Sequence, residues 1–279
     1  MTQVLRYAAF TTDPAGGNPA GVVLDARGLD DAAMQAIAAD VGYSETAFIT
    51  GETDGTHQVR YFSPKAEVPF CGHATVATAV ALAERIGPGE LVFSTAAGIV
   101  PVVVEDSAGV LRATLTSVEP YVEAVSDVSE ALDILGWRAD QLDPALPPYI
   151  AYGGARHLVL SASTRQRLAE LDYDFDRLLE YMLQRDLTTV QLVWRESATT
   201  FHVRDPFPVG GVVEDPATGA AAAAFGAYLR ELGQVQPPVT LTLLQGDDMG
   251  RPSQIQVDLR PDDTRVRVTG NAVPIDVNP

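Results

Sequence analysis

Two stretches of this chain are rich in alanine and apolar on every side, and they constrain its fold more than any other feature. The first runs from Phe70 to Gly87 and carries no charge between Ala74 and Ala83. The second runs from Asp215 to Gly233 and is uncharged from Gly219 to Leu229. Alanine is the strongest helix former, and a glycine past the last turn is a common stop, so both read as helices. A helix with no polar face belongs inside a domain. The lead-ins repeat as well. Val59-Arg60-Tyr61-Phe62-Ser63-Pro64 and Val203-Arg204-Asp205-Pro206-Phe207-Pro208 share Val, Arg and the final Pro at an offset of 144 residues, close to half of 279. This pattern predicts a duplicated unit of strand, short loop and buried helix. The first amides of a helix have no internal partner, so Gly72 and Gly219, at the two helix fronts, are candidate anion-holding positions.

Around these helices the chain reads as short strands with hairpin-length links. Strands are expected at Val4–Thr11, Ala20–Leu24, His57–Phe62, Leu91–Ser94, Ile99–Glu105 and Leu111–Leu115. Asp30 to Val41 reads as an amphipathic helix ended by Gly42. A polar connector near Ser117–Asp127 is the candidate boundary, and strands and helices alternate again beyond it. The expectation is an α+β protein of two mainly antiparallel sheets, each curled around one apolar helix.

Composition narrows the function. Net charge is −18, which repels nucleic acid. No apolar run reaches membrane length, and the opening Met-Thr-Gln-Val-Leu-Arg-Tyr is not a signal peptide, so the expectation is a cytoplasmic protein without membrane partners. Cys71 is the single cysteine, which excludes an internal disulfide, and the four histidines show no metal-ligand spacing, so no metal is expected. Lys65 is the only lysine, which leaves almost no candidate for Schiff-base chemistry.

The titratable candidates are few. Glu45 stands before Ala47, Phe48 and Ile49, a setting suited to moving a proton, although the same strand could turn it to solvent. Asp215 precedes a helix and reads equally as a cap. His73 opens the first buried helix. Cys71 beside it reads either as a packed hydrophobe or as a helix-start thiolate. Asn18 lies in the turn Asp13-Pro14-Ala15-Gly16-Gly17-Asn18-Pro19 and reads first as a turn residue.

Five sets of residues together carry a family resemblance. They are Gly17–Val23, Ser44–Phe48, Arg60–Pro64 with Glu67–Thr75, Glu214–Gly219, and Gln245-Gly246 with Met249–Ser253. In this order they resemble the PhzF family, the phenazine-biosynthesis-like isomerases within the diaminopimelate epimerase fold. The resemblance implies two pseudo-symmetric domains, 1–118 and 119–265, each a barrel-like sheet around a central buried helix, with the active site between them. It also implies a last strand at about 266–279 returning to the first domain, a homodimer, and no cofactor. It implies a general acid/base at Glu45 and substrate contacts from His73 and Asp215. Gly72 and Gly219 would hold a substrate carboxylate, and Asn18, Cys71 and Ala220 would line the substrate. Two departures stand out. Ala220 replaces a common serine, and the lone Cys71 excludes the paired thiols of racemases. The implied activity is cofactor-independent proton movement on a small carboxylate-bearing substrate. The alternatives are a silent ligand-binding or interaction protein on the same fold, and an epimerase using Glu45 with Cys71.

Overall fold

The computed structural model describes residues 2–276; Met1 and 277–279, the far end of the expected closing strand, lie outside the described residues. The chain divides into two compact units. One comprises the residues up to Thr116 and those from Thr269 onward, the other Ser117–Val268.

The first unit is built from β1 (Leu5–Ala9), β2 (Asn18–Val23), α1 (Asp31–Val41), β3 (Glu45–Thr53), β4 (Thr56–Phe62), β5 (Glu67–Val68), α2 (Gly72–Ile86), β6 (Gly89–Thr95), β7 (Gly98–Ser107) and β8 (Val110–Thr116). β1 and β2 are antiparallel, as are β3 with β4 and β6 with β7, and β7 with β8. β2 lies parallel to β3 across α1, and β4 lies parallel to β6 across α2. The last strand, Arg267–Pro274, pairs with both β1 and β8 and closes an eight-stranded barrel.

α2 touches β1, β2, β3, β7 and β8, so it lies inside that ring. Every residue from His73 to Ala83 is buried. A helix enclosed by strands must be thin, which is why alanine fills it. Its two hydroxyls are satisfied locally: Thr75 donates to the Cys71 carbonyl at 2.6 Å and Thr78 to the Ala74 carbonyl at 2.7 Å. α1 covers the outside. Asp30 caps it by accepting from the Ala33 amide at 2.8 Å, Gly42 ends it in the left-handed region, and Met34 and Ala38 pack on Val23, Phe48 and Phe62.

The second unit repeats the plan. Its strands are β9 (Tyr121–Ala124), β10 (Tyr149–Tyr152), β11 (Arg156–Ser161), β12 (Thr189–Arg195), β13 (Thr200–Pro206), β14 (Glu214–Asp215), β15 (Val239–Gln245) and β16 (Ser253–Leu259), and its helices are α3 (Ser129–Ile134), α4 (Arg165–Ala169), α5 (Phe175–Gln184) and α6 (Gly219–Glu231). β11–β12 and β13–β15 are parallel, and the other neighbouring pairs are antiparallel, the same alternation as in the first unit. α6 touches β9, β10, β11 and β16. It is packed too closely for larger residues: a Cβ on Gly226 would lie 2.7 Å from Val257 Cγ1, and one on Gly153 would lie 2.7 Å from the Ala224 amide nitrogen. α3, α4 and α5 cover the outer face through Leu132, Leu168, Leu178 and Met182.

One local expectation is corrected. The polar connector after Ser117 contains a strand, β9, which antiparallel pairing with β10 stabilises despite weak local pattern. The last strand, expected at about 266–279, spans Arg267–Pro274 among the described residues, and its later half pairs with β1. Among the described residues, no helix is long and apolar enough to cross a membrane.

Candidate active site

In the first unit, four of the residues singled out from sequence converge. Glu45 is the first residue of β3, set opposite Ala20 of β2 in parallel register. Cys71 is the N-cap of α2, and Gly72 and His73 are its first two residues. Because α2 is threaded into the barrel, its first turn is buried too: His73 is 5 % exposed and Cys71 8 %. Asn18, at the start of β2, is also buried.

Contacts tie these groups together. Glu45 Oε2 lies 3.4 Å from His73 Nε2 and 3.5 Å from Cys71 Sγ. Cys71 Sγ is 3.3 Å from His73 Nδ1. Asn18 Nδ2 is 3.2 Å from the same Nδ1. The Asn18 amide thus borders Nδ1, and Nε2 faces the Glu45 carboxylate. Ser44 Oγ joins at 3.3 Å from Nε2, a contact that residue-level reading missed although Ser44 lay within a quoted segment. The Glu45 side chain is 14 % exposed, so it is neither a solvent-facing strand residue nor sealed from a ligand. The Cys71 side chain makes no cap bond to the helix.

In the second unit, Asp215 closes β14 and is buried. The N-cap of α6 is Thr218, not Asp215. Asp215 Oδ2 accepts from the Thr218 hydroxyl at 2.6 Å. Gln245 then clamps the turn: its Nε2 donates to the Asp215 carbonyl at 2.8 Å, and its Oε1 accepts from the Thr218 amide at 3.0 Å. The side chain of Asp215 is thereby held at a fixed orientation just ahead of Gly219 and Ala220, the first two residues of α6. Gln245 lay within a quoted segment, but no local signal showed what it would hold.

Behind this turn lies a buried polar chain that sequence reading missed entirely. Thr189 donates to Asp205 Oδ1 at 2.8 Å and is 2.8 Å from His157 Nδ1. Burial pushes His157 down to about 3. Burial also holds the Asp205 carboxyl well above the usual carboxylate range, with the charges of Asp215 and Glu214 adding to the effect. Asp205 faces Asp215 across the β13–β14 pair.

Comparison with known proteins follows the same lines. The family model for phenazine biosynthesis-like proteins, PhzC-PhzF, matches residues 7–277. The chain is 31% identical to the uncharacterized isomerase YfhB of Bacillus subtilis over 281 residues, covering 97% of this chain and 96% of that one. It is 32% identical to the trans-2,3-dihydro-3-hydroxyanthranilate isomerase of Pseudomonas fluorescens over 272 residues, covering 95% and 94%. The crystal structure of a PhzF-family phenazine biosynthesis protein from Bacillus anthracis superposes with a TM-score of 0.89 at 26% identity, covering 98% of each chain.

Proposed function

We propose, from the premise that this chain belongs to the PhzC-PhzF family of phenazine biosynthesis-like proteins and is an isomerase, that Glu45 carries a proton between two carbons of a small carboxylate-bearing substrate without a cofactor. The first-turn amides of α2 hold the substrate carboxylate and favour the negative charge that develops beside it. Glu45 accepts the proton of an acidic C–H. The electron pair left behind moves into the adjoining unsaturated system, and Glu45 returns the proton to another carbon on the same face. His73 donates its Nε2 proton toward the carboxylate of Glu45 and orients it. Asp215 is assigned a contact with the substrate hydroxyl or amine on the family resemblance.

The observation that carries this reading is the separation of Glu45 from Cys71. An epimerase working with two groups needs them on opposite faces of one carbon, each within about 3–3.5 Å of it, hence roughly 6 Å or more apart. Glu45 Oε2 and Cys71 Sγ stand 3.5 Å apart. They approach a substrate from one side, as single-base transfer requires.

The test is solvent deuterium incorporation into trans-2,3-dihydro-3-hydroxyanthranilate and a panel of related unsaturated cyclic carboxylates. Glu45→Gln is expected to keep the fold and lose exchange by about 10²–10⁴-fold, the usual contribution of a positioned acid/base. Cys71→Ser is expected to retain it. Full exchange in Glu45→Gln removes Glu45 from the mechanism, and loss of exchange in Cys71→Ser restores the two-group epimerase.

A further inference from the structure

Two buried carboxyls face each other in the second unit. Asp205 of β13 and Asp215 of β14 are direct partners in the antiparallel register, so their side chains leave the same face of the pair. Two carboxyls set this close do not both ionise readily, and one keeps its proton. Their surroundings decide which. Asp215 is 6 % exposed, accepts from the Thr218 hydroxyl at 2.6 Å and stands just ahead of the positive end of α6. Asp205 is fully buried. Its Oδ1 accepts from Thr189, and its Oδ2 has no hydrogen-bond partner. The charged groups that act on it, Asp215 and Glu214, are both acidic. Arg204, next to it in the chain, commits its guanidinium to Glu214 and the Ala169 carbonyl. His157 of β11 reaches it only through Thr189. Gln191, fully buried on the adjoining β12, has neither amide atom bonded, so it steadies no anion there. The charge therefore belongs on Asp215 and the proton on Asp205.

We propose that Asp205 is a positioning residue of the isomerase: a neutral carboxylic acid whose Oδ2 proton is directed at the Thr218 hydroxyl and, through it, steadies the Asp215 carboxylate in one orientation. Thr218 is placed for this. Its hydroxyl donates to Asp215 Oδ2 and also acts on the Asp205 carboxyl. Gln245 Nε2 donates to Thr218 Oγ1 at 3.0 Å, which leaves that oxygen one lone pair for Asp205. The donors then run one way, from His157 to Thr189, Thr189 to Asp205, Asp205 to Thr218 and Thr218 to Asp215. Hydrogen bonds aligned in this way polarise one another. The contact of Asp215 with substrate rests on the proposed function; the place of the proton does not.

Infrared spectra of the full chain at neutral pH locate the proton. The wild type is expected to show a protonated-carboxyl C=O band that shifts in deuterium oxide. Asp205→Asn, whose amide keeps the shape and a donor, is expected to lack it. Urea midpoints give a second measurement. The wild type is expected to lose stability relative to Asp205→Asn as pH rises above 3.8, because the unfolded acid ionises and the folded one does not. A wild-type spectrum without that band, or a midpoint difference flat in pH, overturns the neutral acid whatever the activity. Positioning is read from deuterium exchange into trans-2,3-dihydro-3-hydroxyanthranilate. Asp205→Asn is expected to keep near wild-type kcat/KM. The apolar isostere Asp205→Leu, or Asp205→Ala where leucine crowds the site, is expected to lose about tenfold or more, the worth of one hydrogen bond to a charged group. Full activity in the apolar variant overturns the positioning role, and so does a loss in Asp205→Asn as deep as in that variant. A wild type that exchanges nothing on the panel fails the proposed function and this role with it, while the infrared band still judges the proton.

Discussion

At the scale of single residues, His157 shows how burial converts an ordinary side chain into a pH-dependent term. It is fully buried, and Thr189, which donates to Asp205, must accept from His157 Nδ1. Nδ1 therefore carries a proton, and burial, which pushes the group down to about 3, keeps the ring neutral above that pH. Its folded-state value of about 3 lies below the ordinary 6.5, so between those values the unfolded chain binds a proton that the native chain does not. Stability from this group is complete above pH 6.5 and is lost as pH falls toward 3, with a limiting slope of about 1.4 kcal/mol per pH unit. Asp205 acts with the opposite sign, since its raised value makes stability decline as pH rises above 3.8. Urea midpoints measured across this window for the wild type and His157→Asn isolate the histidine, because the Asp205 contribution is common to both. The difference between the two curves is expected to shrink steadily on acidification. A constant difference would mean that His157 is protonated in the folded chain.

At the scale of elements, the duplicated lead-in carries the same ion pair into two environments. Arg60 of β4 meets Glu67 of β5 at 2.6 Å, and Arg204 of β13 meets Glu214 of β14 at 2.5 Å. The first pair is 30 % and 37 % exposed, and Arg60 also holds Asp31 at 2.6 Å; the second pair is 9 % and 4 % exposed. Water and Asp31 relieve Arg60 when Glu67 is removed, whereas the buried Arg204 would keep only Asp248 at 4.0 Å and the Leu168 and Ala169 carbonyls. Glu67→Gln is expected to cost about 0–1 kcal/mol and Glu214→Gln roughly 3–5 kcal/mol in urea unfolding. Equal losses would show that burial does not set the difference. This pair also marks what the sequence makes legible. The repeat, both apolar helices, the amphipathic α1 with its cap, and the candidacy of Glu45, Cys71 and His73 follow from composition and spacing. That Arg60 and Arg204 share a position is visible in the lead-ins, but their unequal burial depends on α4, whose Ala169 carbonyl accepts from Arg204 at 2.7 Å. β9 exists through pairing with β10, and β5 and β14 are two-residue strands folded back on the strands just before them, too short to carry a local pattern. The meeting of Glu45 with Cys71 and His73 was hidden because β3 and α2 bring together residues 26 positions apart.

At the scale of the whole molecule, the chain order makes the first unit depend on its own far end. The last strand leaves the second unit, pairs with β8, and lies antiparallel to β1 with Tyr7 opposite Pro274 and Ala9 opposite Ala272. Its fit is specific. Phe10 donates its amide to the Asn271 carbonyl at 2.7 Å, Asn271 donates its side-chain amide to the Leu111 carbonyl at 3.0 Å, and Thr269 meets Thr114 at 2.8 Å. A Cβ on Gly270 would lie 2.2 Å from the ring of the fully buried Phe10, so the strand passes where only glycine fits. Removing residues 269–279 would open the barrel, leave unpaired edges on β1 and β8, and uncover the Phe10 ring. The second unit is continuous from Ser117 to Val268 and keeps all of its own strands. Hydrogen exchange on the shortened chain is therefore expected to show lost protection in β1, β2 and β8 and retained protection in β12 and β13. A milder perturbation, Gly270→Val, is expected to lower stability by about 1–3 kcal/mol or more through overpacking against Phe10. Protection of β1 and β8 that survives truncation would mean that the barrel holds with seven strands, and the returning strand would then be a cover over the unit rather than the element that closes it.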